Sequence, residues 1–192
     1  MTDITSATVA RRRPSRTAAA PTPADGAAQP LQDGASQLDL VACVELLFFA
    51  YRDFTGGPDA VLEQYGFGRA HHRVLHFVHR NPGLRVADLL DILRITKQSL
   101  ARVLKQLIDK GFIMQRAGND DRRERRLFVS AKGARLAEKL ATLQTKQLED
   151  ALAEAGPGAA EFARRFLFAM ITESDRPRVE ALVKLSASTR TR

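Results

Sequence analysis

Residues Ile95–Ile113, ITKQSLARVLKQLIDKGFI, carry the strongest structural signal in the chain. Apolar residues recur in this stretch at positions i, i+3, i+4, i+7 and i+8, which is the spacing of one buried helix face. Thr96 stands where a helix N-cap belongs, and Gly111 stands where the helix should end. We therefore predict a capped amphipathic helix. Its buried side consists of Leu100, Val103, Leu104, Leu107 and Ile108.

The other side of this helix is basic and polar. It carries three cations, one amide and one small residue that permits close approach: Lys97, Arg102, Lys105, Gln98 and Ala101. Apolar residues at i, i+3, i+4 and i+7 predict a shorter helix just before it, and these are Val86, Leu89, Leu90 and Leu93. Only residues 94–96 join the two helices. Two short helices with so tight a connection form a helix-turn-helix pattern.

The stretch GNDDRRERRLFVS, from Gly118 to Ser130, is densely charged and then becomes apolar. We predict a β-hairpin with strands over residues 112–116 and 126–130 and the charged residues in its turn. Residues 94–126 contain ten Lys and Arg against four Asp and Glu, a net charge of +6 out of +8 for the whole chain. Positive charge this concentrated favours a nucleic acid, an anionic membrane or an acidic protein as partner.

Helices are predicted on both sides of this unit. One runs over residues 37–54 and ends at the breaker FTGGP, residues 54–58, and the next covers about residues 68–80. Ser130 should cap the helix that follows the hairpin. We expect three helices after Ser130, over residues 131–155, 161–172 and about 176–185.

The composition excludes several classes of protein. The 192 residues, 44% of them hydrophobic, suit one folded domain, and no apolar run approaches the roughly 18 to 20 residues of a membrane helix. A single cysteine, Cys43, permits no internal disulfide and no thiolate-rich metal site, so we expect a cytoplasmic protein with no membrane partner. The chain has no HExxH, P-loop, GxGxxG or nucleophile-elbow motif. We therefore expect neither an enzyme nor a bound cofactor.

The order of elements and the residues together resemble the MarR family of winged helix-turn-helix transcription regulators. The most specific match is in the hairpin, where the DRR of residues 121–123 is followed by an apolar residue, by Ser130 and, three places on, by Gly133. The family usually has Thr at the position of Ser130, and either hydroxyl can cap a helix. The recognition stretch quoted first is a second match. A departure is Arg85, where the family often has Ser or Thr as the N-cap of the preceding helix.

The resemblance implies a mainly α fold with a small β-hairpin wing and with N- and C-terminal dimerisation helices. It implies a homodimer that binds a pseudo-palindromic site on double-stranded DNA as a repressor, with its affinity modulated by a small effector of unknown identity. The expected organisation is a disordered basic tail (1–35), a helical dimerisation region (36–67), a winged helix-turn-helix lobe (68–130), C-terminal dimerisation helices (131–187) and a disordered tail (188–192).

By the same resemblance, Arg123 at the wing tip would enter the minor groove, and Asp121 would position the wing by pairing with a neighbouring arginine. Gln98 and Arg102 can read base edges, while lysine and serine side chains are more suited to holding phosphate. The predicted DNA-binding residues are Thr96, Lys97, Gln98, Ser99, Arg102, Lys105, Arg122, Arg123 and Arg125.

All four histidines fall in one predicted helix, RAHHRVLHFVHR. His72, His76 and His79 form a stripe beside its apolar face, and His71 falls within that face. Three imidazoles at i, i+4 and i+7 could bind zinc, copper or haem iron, with Cys43 or Glu45 from the first helix as a further ligand, or could sense pH through protonation at about pH 6.5. The plainer interpretation is that His71 belongs to the core or to a dimer interface and that the others are partly exposed.

Alternatives to a ligand-released repressor stay open. A winged helix can serve as a protein-interaction module, although that use would tolerate the loss of cations from the helix face and the wing. Within the DNA-binding class, the regulator could instead be gated by a metal, by haem or by oxidation of Cys43. A lone cysteine on an apolar helix face is more often an inert small hydrophobe.

Overall fold

The computed structural model describes residues 39–118 and 124–188 and shows a mainly helical fold with a small antiparallel sheet. The helices are α1 (Leu40–Glu63), α2 (Arg69–Arg80), α3 (Val86–Leu93), α4 (Lys97–Asp109), α5 (Ala131–Ala155), α6 (Ala159–Ala169) and α7 (Arg176–Ser188). The strands are β1 (Leu84–Arg85), β2 (Ile113–Ala117) and β3 (Arg125–Val129), and a 3-10 turn, Glu173–Asp175, precedes α7. The predicted fold class is confirmed.

The core lies where α2, α3, α4, the sheet and the start of α5 meet. Each element contributes the apolar side of its own repeat, so the helices contribute every third or fourth residue and β3 contributes alternate ones. The fully buried side chains include Leu75, Leu89, Leu107, Leu127 and Leu140. This packing fixes the orientation of α4, because its inner side is bound to the core while its outer side faces away.

The sheet has three strands in the order β1-β3-β2, all antiparallel. The two predicted strands are present, each displaced by one residue, and their register pairs Ile113 with Val129 and Gln115 with Leu127. β1 was not predicted, because two residues are too few to show an alternating pattern. It pairs Leu84 with Leu127 and so ties the start of α3 to the hairpin.

The prediction that α1 ends at the FTGGP sequence is wrong. The helix continues through Gly56, Gly57 and Pro58 to Glu63. The proline nitrogen has no hydrogen to donate, and a proline costs about 3 kcal/mol in a helix interior. The compensation is tertiary packing: Pro58 and Leu62 are buried, and α1 packs against α5.

The predicted helix caps are confirmed. The Thr96 hydroxyl accepts the Ser99 N–H at 3.1 Å, and Gly111 follows α4 with a φ of 73°. The Ser130 hydroxyl accepts the Gly133 N–H at 3.0 Å and donates to the Gly111 carbonyl at 2.7 Å, so one side chain joins the ends of α4 and α5. The Arg85 side chain does not cap α3. Its Nε and Nη2 atoms instead donate to the Asp88 carboxylate, at 2.7 and 2.6 Å.

The C-terminal helices follow the prediction with shifted bounds. The segment expected over residues 161–172 is α6, which begins at Ala159 and ends at Ala169, and the 3-10 turn after it was not predicted. The two predicted tails, residues 1–35 and 188–192, lie outside the described residues apart from Ser188. The domain boundaries stay predictions. In the part of the chain that the structure describes, no helix is both long and apolar enough to span a membrane.

Candidate nucleic-acid interface

The outer side of α4 is a basic surface formed by the residues that its amphipathic spacing predicted. Leu100, Val103, Leu104 and Leu107 are buried, Arg102 and Lys105 between them are exposed, and Gln106 is half-buried. The structure brings together on this side Thr96, Lys97, Gln98, Ser99, Arg102 and Lys105, which we call the α4 outer face. An α-helix is about as wide as the major groove of B-DNA, so this surface can enter that groove.

The polar groups of the α4 outer face are not equally free. The Thr96 hydroxyl donates to the Ser99 hydroxyl at 2.8 Å while it accepts that residue's N–H, and Lys105 pairs with Asp109 at 2.5 Å. Among the described residues, no hydrogen-bond or ion-pair partner is found for Lys97, Gln98 or Arg102. These three side chains can therefore bind another molecule without first breaking an internal contact.

The sheet adds a row of arginines that the sequence did not single out. Strand register places Arg85, Arg126 and Arg116 side by side, and directly opposite residues project from the same face of a sheet. Arg85 is paired with a carboxylate of α3, and Arg126 lies 2.9 Å from Glu124. Arg116 is exposed, stacks over the ring of Phe128 at 5.1 Å, and has no acid partner in residues 39–118 or 124–188. Only knowledge of the register could have revealed this row.

The tip of the wing lies outside the described residues. It contains three predicted site residues, Asp121, Arg122 and Arg123, so their placement stays a prediction. At the base of the wing, the Gly118 N–H donates to the Glu124 carbonyl at 2.9 Å, which closes the hairpin. Arg125, the remaining predicted contact, is exposed on β3.

The back of α4 is held by a histidine whose role was not predicted. His71 Nδ1 accepts the Gly68 N–H at 3.1 Å, so Nε2 carries the proton and donates to Gln106 Oε1 at 2.6 Å. The His71 ring also stacks on Phe67, with 4.6 Å between ring centroids. His71 therefore joins the start of α2 to α4, the second helix of the helix-turn-helix and its recognition helix. The two residues are 35 apart, which is why sequence spacing did not reveal the bond.

Comparison with known proteins places this geometry in a family. A family model described as the MarR family matches residues 65–124, which include α4 and β2. The HTH-type transcriptional regulator PetP of Rhodobacter capsulatus is 45% identical over 139 residues, covering 72% of this chain and 84% of that protein. The chain belongs to the MarR family. It is accordingly a DNA-binding transcriptional regulator with a winged helix-turn-helix.

Solved MarR structures share the fold at low sequence identity. The crystal structure of MarR is 20% identical, with a TM-score of 0.57, and the match covers 77% of this chain and 99% of that one. The regulator SlyA is 15% identical, with a TM-score of 0.56 and coverage of 78% and 99%. A MarR variant from E. coli complexed with operator DNA is 17% identical, with a TM-score of 0.55 and coverage of 71% and 100%.

The four histidines all lie on α2, as predicted, but their burial differs from the prediction. His72 is the buried one, at 9% exposure, while His71, His76 and His79 are half-buried. The structure gives no support to a metal site formed by His72, His76 and His79 with Cys43. Across residues 39–118 and 124–188, no group of three His, Cys, Asp or Glu side chains could hold a metal ion. Haem binding, and oxidation of the half-buried Cys43, stay untested hypotheses.

Burial disfavours protonation of two of these histidines, which counts against the hypothesis that they sense pH through protonation at about pH 6.5. Burial lowers the pKa of His76 to about 4, and the neighbouring His72, Arg80 and His79 add to the effect. Burial also lowers the pKa of His72. Both imidazoles are therefore neutral at physiological pH, and the folded state resists their protonation.

The low pKa of His76 predicts a loss of stability in acid. Between about pH 6.5 and about pH 4 the unfolded chain binds a proton at this residue that the folded chain does not, so the free energy of unfolding falls as the pH falls. We expect His76 to contribute a loss of about 2 kcal/mol across this range. Urea denaturation at several pH values measures it. His76→Gln should flatten the profile; equal profiles for wild type and His76→Gln would contradict the assignment.

A cavity of about 520 Å³ lies behind the helix-turn-helix, between α2, α3 and α7. Its lining is largely apolar, with Phe77, Ile92 and Val179 in it, and also includes charged side chains. The volume is in the range of small-molecule sites in proteins. His76 forms part of the wall, so the histidine helix borders the cavity.

Proposed function

We propose that the chain is a cytoplasmic homodimer that binds a pseudo-palindromic site on double-stranded DNA and represses transcription, with its affinity modulated by a small effector. The observation that carries this proposal is the α4 outer face, where Lys97, Gln98 and Arg102 are exposed and have no partner among the described residues. Gln98 and Arg102 are the proposed readers of base edges, and Lys97 and Ser99 are the proposed phosphate contacts.

The wing supplies the second part of the proposed contact. Arg125 and Arg116 are exposed on neighbouring strands, and the sequence between the strands adds Arg122 and Arg123. We propose that Arg123 enters the minor groove, with Asp121 as the residue that positions it. Arg116 faces away from the core and would bind phosphate beside the groove. The concentration of positive charge on both elements favours DNA over the protein-interaction alternative.

Exposed apolar side chains support the homodimer. On α1 the exposed residues include Val41, Phe48 and Phe49, and on α6 they include Phe162 and Phe166. No residue of α6 is buried within the single chain. Contiguous apolar surface of this kind marks an interaction site, and a second copy of the chain is the proposed partner. Two recognition helices would then reach half-sites about one helical turn, roughly 10 bp, apart.

The cavity behind the helix-turn-helix supports the effector. The lining of this cavity is largely apolar and includes charged side chains, which suits a small molecule that has one polar end. A ligand that binds there with different affinity in two arrangements of the helices would shift the population between them. Screening small molecules for an increase in thermal stability tests the site, because a ligand that binds the folded state raises the melting temperature with concentration.

Replacing Lys97 with alanine tests the DNA contact itself. We expect weaker binding to all duplexes and a decrease of about one unit in the slope of log K against log salt, because one phosphate contact and its released counterion are lost. Fluorescence anisotropy across a salt series measures both quantities. Lys146→Ala, which removes an exposed lysine of α5, is the matched control and should leave the slope unchanged. An unchanged slope for Lys97→Ala would remove Lys97 from the interface.

A further inference from the structure

The turn of the helix-turn-helix is held by a side-chain contact from the C-terminal part of the chain. Arg94 ends α3 with a φ of 51°, and in residues 39–118 and 124–188 it is the one residue other than glycine with a positive φ. This left-handed conformation is unfavourable for an L-residue with a long side chain. The Arg94 guanidinium donates to Asp175 at 2.6 Å, across 81 residues of sequence.

A second arginine holds α3 from the same direction. Arg178, on α7, donates to the backbone carbonyl of Asp88 at 3.0 Å and lies 3.8 Å from the carboxylate of Asp91. We call these contacts, Arg94 with Asp175 and Arg178 with α3, the C-terminal latch. They connect the two ends of α3 and the turn after it to the 3-10 turn and to α7.

The latch spans the cavity instead of reinforcing a packed interface. Arg94, Asp91, Asp175 and Arg178 all line the 520 Å³ space between α2, α3 and α7. Close packing fixes the relative position of two elements, whereas an open space between them does not. The distance between α3 and α7 on this side is therefore set by the polar contacts of the latch. α4 begins three residues after Arg94, so a change at the turn reaches the recognition helix directly.

We propose that the C-terminal latch sets the position of the recognition helix, which makes Arg94, Asp175 and Arg178 positioning residues for DNA binding. This inference rests on the proposed function, because its consequence is the spacing of two recognition helices in a dimer. When the latch is intact, the recognition helix of one subunit lies at one fixed distance from the recognition helix of the other. Without the latch, the distance between the two recognition helices varies. DNA binding at the best spacing must then restrict this variation, which lowers the affinity, whereas the intact latch has already restricted it.

The test compares spacing preference in wild type and Asp175→Asn. The probe is the tightest duplex that the wild-type chain selects from a random-sequence pool, together with versions that have one base pair added or removed at the centre. We expect Asp175→Asn to bind the parent duplex about 3- to 10-fold more weakly, in line with the loss of a largely exposed ion pair and the ordering it maintained. We expect its penalty for altered spacing to be smaller than that of wild type. The salt slope should not change, because no phosphate contact is removed.

Two further variants complete the experiment. The reversed pair, Arg94→Asp with Asp175→Arg, should recover most of the affinity and the spacing preference. Asp150→Asn, which breaks the Lys146 ion pair on α5, should behave as wild type. The proposal is overturned if Asp175→Asn keeps the wild-type affinity and spacing penalty, or if Asp150→Asn shows the same loss. A wild-type chain that selects no duplex at all would overturn the proposed function, and the latch with it.

Discussion

Replacing Gly133 with alanine is expected to lower the free energy of unfolding by about 3 kcal/mol. Gly133 is buried in the first turn of α5, directly against the backbone at Phe112. A Cβ built on Gly133 would lie 2.1 Å from the Phe112 carbonyl oxygen and 3.0 Å from its carbonyl carbon. These are backbone atoms of a residue that is 1% exposed, and the same oxygen accepts the Ser130 N–H at 3.0 Å. Neither side of the contact can move without breaking the junction of β2 with α5.

Urea denaturation followed by circular dichroism measures this effect. The matched control is Gly56→Ala, which adds the same methyl group at an exposed position inside α1. Apart from the neighbouring backbone of α1, no described atom lies within 4 Å of the added carbon. That change should raise stability by about 0.5 to 1 kcal/mol, because alanine favours a helix interior over glycine. A Gly133→Ala protein as stable as wild type would show that the contact between α5 and the hairpin is looser than described.

Replacing Phe162 and Phe166 with aspartate is expected to convert the proposed dimer into monomers and to weaken DNA binding by two orders of magnitude or more. The two rings stack on each other, with 6.1 Å between centroids, and are 69% and 50% exposed in the single chain. If a second chain covers them, two carboxylates would be buried without partners. Each such group costs several kcal/mol. A monomer contacts only one half-site, so it also loses the contribution of the second.

Sedimentation velocity at micromolar concentration measures the mass, and anisotropy measures the affinity for DNA. Arg164→Asp introduces the same charge on the other side of α6, where Arg164 pairs with Glu161, and should leave the mass unchanged. Circular dichroism checks that the double variant stays folded, which is expected because no residue of α6 belongs to the core. A folded double variant that still sediments as a dimer would place the dimer interface elsewhere.

The elements with strong periodicity could be predicted from the sequence, because one buried face leaves a regular apolar repeat. This holds for α4, whose bounds, N-cap and buried side chains all follow from Ile95–Ile113, and for α5, whose start follows from the Ser130 cap. The exposed members of the α4 outer face follow from the same repeat, since they are the positions that remain.

What could not be predicted depends on contacts between distant parts of the chain. α1 continues through Gly56, Gly57 and Pro58 because Pro58 is buried and α1 packs against α5, whereas local propensity alone would end the helix there. The His71–Gln106 bond and the Arg94–Asp175 pair join residues 35 and 81 positions apart. Hydrophobic spacing carries no information about such pairs. The burial of His72 in place of His71 likewise depends on which side of α2 its neighbours cover.

DNA binding by the wild-type chain tests whether the α4 outer face and the wing recognise double-stranded DNA. Fluorescence anisotropy would compare a duplex from upstream of the chain's own coding sequence with a scrambled duplex of equal composition, from low to physiological salt. We expect saturable binding that prefers the upstream duplex, and log K should fall linearly with log salt concentration. Absence of binding to either duplex at low salt, where electrostatic attraction is strongest, would contradict this expectation.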